Sequence, residues 1–199
     1  GSSHIKVALP LDPLSRHSYL RLYCACVAQI HARVPAAQRL PLVVMTSDDT
    51  HEETQLLLEQ HGYYGLHRDL VLLLKQECVC AVLDAQARFA TVAAATNSSR
   101  VPADRYSLLL KPHGHGDVHR LLSQLHQHTG CFDEWARRGA RHVFFFQDTN
   151  PLVFRGLAAM AGAAAARGWT MTTMAVPRRE GDAVGALCSL NPATDGVET

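Results

Sequence analysis

Short apolar segments alternate along this chain with segments of helical periodicity. Within the apolar segments, successive residues do not alternate between apolar and polar, which is typical of parallel strands buried on both faces. The pattern therefore predicts an α/β fold with a mostly parallel sheet and helices on both faces. The predicted strands are 5–9, 40–45, 69–74, 105–110, 142–146 and 169–176. The predicted helices are 15–33, a helix that begins at 50 and is capped by Gly62, a helix that begins at 118 and ends near Gly130, and 152–167.

Composition gives no reason to expect a membrane or nucleic-acid partner. The 199 residues carry a net charge of +1, with 19 basic and 18 acidic side chains. No apolar run reaches the roughly 18–20 residues that span a bilayer. The C-x-C spacing within two cysteine pairs differs from that of a zinc knuckle, and these cysteines lie in apolar segments. We therefore expect reduced, buried thiols in a cytoplasmic protein.

Polar loops follow four of the predicted strands. Because ligands of open α/β sheets bind beyond the carboxyl ends of the strands, these loops predict a ligand crevice at one edge of the sheet. The loops are 46–50, 75–77, 111–117 and 147–150.

The segment 111–119 is the densest in polar chemistry, with two glycines, three histidines, a lysine and an aspartate. Gly114 and Gly116 allow a ligand to approach the backbone closely. The segment leads into a helix N-terminus, where free N–H groups favour negative charge. It therefore predicts a loop that binds a phosphorylated or planar ligand.

Individual side chains near these loops each allow two interpretations. Asp148 is suited to binding Mg²⁺ or to capping the following helix. Gln76 can read a base edge or lie at a solvated strand end. Lys6 in an apolar strand either meets an anion or points out of the sheet. Arg178 and Arg179 either clamp a phosphate or belong to a solvated loop.

A zinc site is the alternative interpretation of the histidines. His113, His115, Asp117 and His119 nearly match the H-x-H-x-D-H motif of metallo-β-lactamase-like hydrolases. One residue too many separates Asp117 from His119, and no histidine follows His142 to supply the later ligand. The zinc hydrolase is therefore the remote alternative.

Several segments together resemble one enzyme family. They are 5–10 (IKVALP), 44–51 (VMTSDDTH), 73–77 (LLKQE), 111–119 (KPHGHGDVH), 145–150 (FFQDTN) and 175–179 (AVPRR). In this order they resemble the UDP-sugar pyrophosphorylases, which are broad-specificity uridylyltransferases. The resemblance implies a nucleotidyltransferase domain with a Rossmann-like, GT-A-like sheet. The implied reaction converts UTP and a sugar 1-phosphate into a UDP-sugar and pyrophosphate. It requires Mg²⁺, for which Mn²⁺ is an alternative. The resemblance implies no nucleic-acid or membrane partner.

The resemblance also implies roles for individual residues. Lys6 is similar to the family lysine at the UTP phosphates, and Asp148 to the metal-binding aspartate. His115 matches the histidine of the G-H-G-D loop, near the phosphates and the sugar. These three residues are the predicted catalytic residues, with Asp148 as the metal ligand.

The predicted substrate contacts complete this set. Met45, Gln76 and Gly114 match positions around uracil, His115 again lies near the sugar, and Arg178 lies in the segment that faces the sugar phosphate.

Parts of the family pattern are missing from this sequence. The family has a glycine-rich loop, roughly G-x-G-x-R-x-G, before the segment at 5–10, and only Gly1 remains of it here. Residues 1–4 are expected to be a tag remnant or a truncated loop end. Residues 5–199 are expected to form the central part of the catalytic domain, incomplete at both ends. We therefore expect the chain alone to lack full activity; a non-catalytic uridine-nucleotide-binding chain is the other reading.

Overall fold

A computed structural model describes residues 5–11, 14–92, 106–182, 185, 189–190 and 197–198. The chain forms two compact units, Gly1–Pro151 and Leu152–Thr199. The helices are α1 (Tyr19–His31), α2 (His51–Gln60), α3 (Asp117–Thr129), α4 (Cys131–Arg137) and α5 (Val153–Arg167). The strands are β1 (Leu42–Thr46), β2 (Val71–Lys75), β3 (Cys78–Cys80), β4 (Leu110–Pro112), β5 (Ser189–Leu190) and β6 (Val197–Glu198).

The first unit is built on the parallel pair β1–β2, in which Leu42 lies opposite Val71 and Thr46 opposite Lys75. One face of this pair packs against Leu20 of α1 and against α2. The core is a cluster of fully or nearly buried side chains: Leu20, Cys24, Leu42, Leu58, Leu66 and Val71. Burial of these side chains is the main stabilising contribution in the unit. The predicted α/β class, with parallel strands and packed helices, is confirmed.

The opposite face of the strand pair also has a helical neighbour. Leu72 points away from the core cluster because side chains alternate along a strand. It lines a cavity together with Trp135 of α4. Helix α4 was not predicted; it follows directly after Gly130, which has the left-handed φ of +66°. Helices therefore lie on both sides of this pair.

The other strand pairs in the described ranges are antiparallel. Cys78 of β3 lies opposite Pro112 of β4, and β5 pairs with β6. The predicted strand at 105–110 is thus shifted, since β4 begins at Leu110. Residues 93–105, which include the first residue of that predicted strand, lie outside the described residues.

The prediction of a strand at 5–9 is wrong, because Lys6–Ala8 forms a turn of 3-10 helix. The Ile5 N–H donates to the Glu53 carboxylate at 3.3 Å instead of to a neighbouring strand. Ile5 is buried and Val7 packs against the core cluster. The apolar side chains of this segment therefore anchor a turn, and Pro10 has no N–H for a sheet.

Two further predicted strands are absent from the described structure. Residues 142–146 are not in a strand; the Phe146 ring lies 5.1 Å from the Tyr23 ring and holds the segment on α1. Residues 169–176, in the second unit, are not in a strand either, and Met171 and Val176 are largely exposed. High apolar content in a short segment did not distinguish a strand from an aromatic anchor or an extended chain.

Helix α5 of the second unit matches its prediction closely. It ends at Gly168, where φ is +65° and the chain leaves the helix. Across the described ranges, every helix is too short or too polar to cross a bilayer.

Candidate functional site

The carboxyl ends of β1 and β2 are tied together by polar contacts. The Gln76 N–H donates to the Thr46 carbonyl at 2.8 Å. The Lys75 ammonium lies 2.9 Å from the Asp48 carboxylate, and the Cys78 thiol donates to the same carboxylate at 3.2 Å. The hydrogen bond from Lys75 lowers the pKa of Asp48, and Asp48 in turn raises the pKa of Lys75. The loops 46–50 and 75–77 thus form one rim.

The glycine- and histidine-rich loop joins this rim through its backbone. The Gly114 N–H donates to Gln76 Oε1 at 3.0 Å, and the His113 N–H donates to the Glu77 carbonyl at 3.1 Å. Gly114 has a φ of +138°, which L side chains rarely adopt. Apart from its chain neighbours, no atom of the described residues lies within 4 Å of the position a Cβ would take there, so the approach to this glycine is open.

A buried carboxylate fixes the loop at the start of α3. Asp117 is only 5% exposed, and its carboxylate lies 2.6 Å from His113 Nδ1 and 3.2 Å from an Arg120 nitrogen. Arg120 also lies 3.3 Å from the Glu77 carboxylate. The hydrogen bond from Arg120, with a smaller contribution from His113, lowers the pKa of Asp117 although burial opposes this. Asp117 therefore connects the loop, α3 and the β2–β3 turn.

The zinc interpretation does not fit this arrangement. His113 and Asp117 are paired, but the His119 ring packs on Phe145 at 4.6 Å. Within the described ranges, no group of three His, Cys, Asp or Glu side chains is placed to hold a metal ion. The extra residue between Asp117 and His119 places them on different parts of the helix surface, as the spacing indicated.

Lys6 and Met45 are associated with the same edge of the strands. The bond from Ile5 to Glu53 places the exposed Lys6 beside the first turn of α2, directly after the loop 46–50. Met45 is half-buried in β1, opposite Leu74 of β2. His115 is exposed in the loop before α3.

Asp148 is fixed through its backbone rather than through its carboxylate. Its carbonyl accepts a hydrogen bond from the Tyr23 hydroxyl at 2.7 Å. Burial, with Asp148 nearby, raises the pKa of Tyr23 to about 12, so this hydroxyl remains a donor. The carboxylate is exposed and has no hydrogen bond or ion pair among the described residues. Mg²⁺ in nucleotide sites is typically held by one or two carboxylates plus phosphates, and a single free carboxylate fits that mode.

The structure thus brings together Gln76, Gly114 and the loop after β1, and it places Lys6 beside α2. Arg178 belongs to the second unit, where its guanidinium donates to the Asp182 carbonyl at 3.5 Å. Neither the role of Tyr23 nor the anchoring role of Asp117 was predicted from the sequence. The i, i+3 spacing of Asp117 and Arg120 was the available signal for the latter.

We predict that Asp117→Asn destabilises the chain in a pH-dependent way. A carboxyl whose pKa is lower in the folded state stabilises the fold above its unfolded pKa of about 4, and this contribution is lost as pH falls through the folded pKa. The difference in free energy of unfolding between wild type and Asp117→Asn should be large at pH 7 and shrink at about pH 3. Urea denaturation at both pH values measures it.

Asp133→Asn is the matched control, since Asp133 is an exposed aspartate in the first turn of α4. It should change the unfolding free energy little at either pH. An Asp117→Asn effect of equal size at both pH values would contradict the assigned ion pairs.

A family model and several known proteins match this chain. The family model described as UTP–glucose-1-phosphate uridylyltransferase matches residues 3–154, more than half of the chain. The UDP-sugar pyrophosphorylase of Oryza sativa subsp. indica is 35% identical over 196 residues, and that of Arabidopsis thaliana is 36% identical over 196 residues. Each alignment covers 96% of this chain and 30% of the relative, so the chain spans about 30% of the length of these curated relatives.

Two more distant proteins also match this chain. The UDP-N-acetylglucosamine pyrophosphorylase of Saccharomyces cerevisiae is 22% identical over 193 residues, covering 96% of this chain and 37% of the relative. A crystal structure of a UDP-N-acetylglucosamine pyrophosphorylase from Entamoeba histolytica matches 66% of this chain and 31% of its own, with a TM-score of 0.50 and 15% identity, and it supports the fold. The resemblance found in the sequence motifs is confirmed, and the chain belongs to the UTP–glucose-1-phosphate uridylyltransferase family.

Proposed function

We propose that this chain forms the nucleotide-binding part of a uridylyltransferase that makes UDP-sugars and pyrophosphate from UTP and sugar 1-phosphates. The observation that carries the proposal is the hydrogen bond from the Gly114 N–H to Gln76 Oε1 at 3.0 Å. It joins two of the polar loops at the carboxyl edge of the strands, where ligands of such sheets bind. The relatives from Oryza sativa and Arabidopsis thaliana named above are UDP-sugar pyrophosphorylases.

The same bond gives Gln76 a defined role towards uracil. A backbone N–H only donates, so the Gln76 amide oxygen must face Gly114, and the Gln76 NH₂ group is left to donate to a carbonyl of the base. The open approach to Gly114 leaves room for the flat base against the backbone. Met45 is assigned to the same base site. A hydrogen-bond donor in this position matches the carbonyl oxygens of uracil, which accept hydrogen bonds. It does not match the amino group of adenine, which donates them.

Positive charge and helix geometry support binding of the triphosphate. Lys6 supplies a flexible ammonium at the edge where α2 begins, and His115 precedes the N-terminus of α3, where the positive end of the helix dipole favours anions. Asp148 is the residue that would hold Mg²⁺, which when bound supplies positive charge to the phosphates. Mn²⁺ would be held by the same carboxylate. Arg178 is assigned to the phosphate of the sugar.

The chemical step is an in-line displacement without a covalent enzyme intermediate. An oxygen of the sugar 1-phosphate attacks the α-phosphorus of UTP, the bond from that phosphorus to the bridging oxygen of the β-phosphate breaks, and pyrophosphate leaves. The residues of the chain contribute by positioning the two substrates and by neutralising charge. Because the chain spans about 30% of its relatives' length, we expect it to bind uridine nucleotides without full turnover. A purely nucleotide-binding role is the second candidate, and turnover of UTP and glucose 1-phosphate by a longer chain that contains this segment separates the two.

We predict that Gly114→Ala weakens UTP binding by about tenfold or more, since it distorts the loop that faces the base. The strained φ of +138° should also lower the unfolding free energy by about 1–3 kcal/mol. Isothermal titration calorimetry with UTP, together with urea denaturation, measures both effects.

Gly116→Ala is the matched control. Gly116 has a φ of −62°, and among the described residues beyond its chain neighbours no atom lies within 4 Å of its would-be Cβ, so alanine fits without strain. UTP binding and stability should both be close to wild type. Equal UTP affinity in wild type and Gly114→Ala would remove Gly114 from the base site.

We predict that Asp148→Asn abolishes the strengthening of UTP binding by Mg²⁺ while leaving the thermal midpoint unchanged. The carboxylate is exposed and the structural contact of this residue is its backbone carbonyl, which the substitution preserves. Calorimetric titrations with UTP, with and without Mg²⁺, measure the effect, and Asp133→Asn serves as the control. Retention of the Mg²⁺ effect in Asp148→Asn would exclude this residue from the metal site.

A further inference from the structure

The antiparallel strands of the first unit share one face whose residues are fixed by their pairing. β3 pairs with β4, with Cys80 opposite Leu110. Two further antiparallel bridges join Val82 to Phe89 and Thr91 to Leu108. Because opposite residues lie on the same face and successive residues alternate, these pairs define one set of side chains. We call this set the outer face; its residues are Cys78, Cys80, Val82, Phe89, Thr91, Leu108, Leu110 and Pro112.

Burial shows that this face is turned towards solvent. Ala81 and Ala90 lie on the other, inner face and are buried, and Leu109 beside them is half-buried. Hydrogen bonds of 2.8 Å join these three residues, from the Ala81 N–H to the Leu109 carbonyl and from the Ala90 N–H to the Ala81 carbonyl. On the outer face, the large apolar side chains are 44–58% exposed: Val82, Phe89, Leu108 and Leu110.

An apolar outer face is unusual for antiparallel strands. Such strands normally bury one face and present polar side chains on the other. Here none of the eight outer-face side chains is charged. The four large ones present about 400 Å² of apolar surface. The largest apolar patches of single-chain proteins measure about 300–600 Å² and are often functional, so this face has the size of an interaction surface.

The absence of charge on the outer face fits a second copy of the same chain. In a two-fold symmetric dimer the same patch is contributed by both copies, so any charged side chain on the symmetry axis would meet its own equal. The outer face carries no charge and avoids this repulsion. A strongly acidic or basic partner would find no opposite charge on it.

The area of the outer face also fits a dimer. A standard interface buries about 800 Å² per partner, and in homodimers about 65% of that area is apolar, which is roughly 500 Å². The four large side chains supply most of this area, and Cys80 and Pro112 lie beside them on the same face. Burying this surface against an identical surface would remove it from water.

We propose that two copies of this chain associate through their outer faces, with the strands of one copy stacked on those of the other. Stacked sheets pack about 10 Å apart and interdigitate the side chains between them. The dimer does not rest on the proposed uridylyl transfer, because no residue of the outer face is assigned to the nucleotide, the metal or the sugar.

Sedimentation velocity of the 199-residue chain tests the association. A reducing agent is present, so that no disulfide between copies contributes. Over an about hundredfold range of protein concentration, the wild type should change from monomer to dimer by mass action. A monomer throughout that range would overturn the proposal.

Leu110→Glu should weaken dimerisation by about tenfold or more, because it places a charge from each copy in the apolar contact. Leu83→Glu is the matched control: Leu83 is 53% exposed, against 58% for Leu110, but it follows Val82 in the strand and so lies on the opposite face. It should dimerise like the wild type. Equal weakening by both variants, or none by a folded Leu110→Glu, would overturn the proposal.

Phe89→Glu tests the same face from the neighbouring segment and should also weaken dimerisation by about tenfold or more. Circular dichroism checks that each variant is folded.

A measurement on the wild type needs no folded variant. Alkylation of Cys80 on the outer face should be slower at the high protein concentration than at the low one, while alkylation of Cys131 at the start of α4 should not change. Both cysteines are half-buried in the single chain, which makes them a matched pair. An unchanged rate at Cys80 in a dimeric sample would place the contact elsewhere and overturn the proposal.

Discussion

The buried carboxylate of Asp117 is the contact on which the candidate site depends. A buried charge is costly unless it is paired, and here Arg120 compensates it, while His113 Nδ1 lies within hydrogen-bonding distance of the carboxylate. Arg120 extends the network to Glu77 in the turn after β2. These ion pairs lock the glycine-rich loop against that turn, and the Gly114–Gln76 bond forms within the same locked arrangement. A base site made from two loops requires that they be fixed relative to each other before the ligand arrives.

The strand pair and its core supply the frame for this network. β1 and β2 run parallel, so the loops that follow them meet at one edge, and α1 and α2 cover one face. Contacts with α1 of the same unit also position Asp148. Phe146 packs on Tyr23, and the Tyr23 hydroxyl holds the Asp148 carbonyl, so an aromatic anchor positions the exposed carboxylate.

Sequence reasoning predicted the elements whose signals are local. The helical spacing of apolar side chains located α1, the alanine-rich sequence located α5, and the turn glycine Gly168 located the end of α5. It failed where tertiary contacts decide: residues 5–9 form a turn because the Ile5 N–H is bound by Glu53, far along the chain, and 142–146 is held by aromatic packing. The meeting of the loops after β1 and β2 followed from the parallel direction of these strands. The loop after β4 joins them through hydrogen bonds, since β4 pairs antiparallel with β3, and these bonds and the Asp117 network needed three-dimensional distances.

The most direct measurement of the central claim is ligand-observed NMR of the wild-type chain with UTP and ATP, each with and without Mg²⁺. If Gln76 and Gly114 form a base site, saturation transfer to the nucleotide should be clear for UTP and strongest at its uracil protons, while ATP should show little. Mg²⁺ should strengthen the UTP signal through Asp148. Equal signals from UTP and ATP, or none from either, would contradict a uracil-selective site in the loops of this chain.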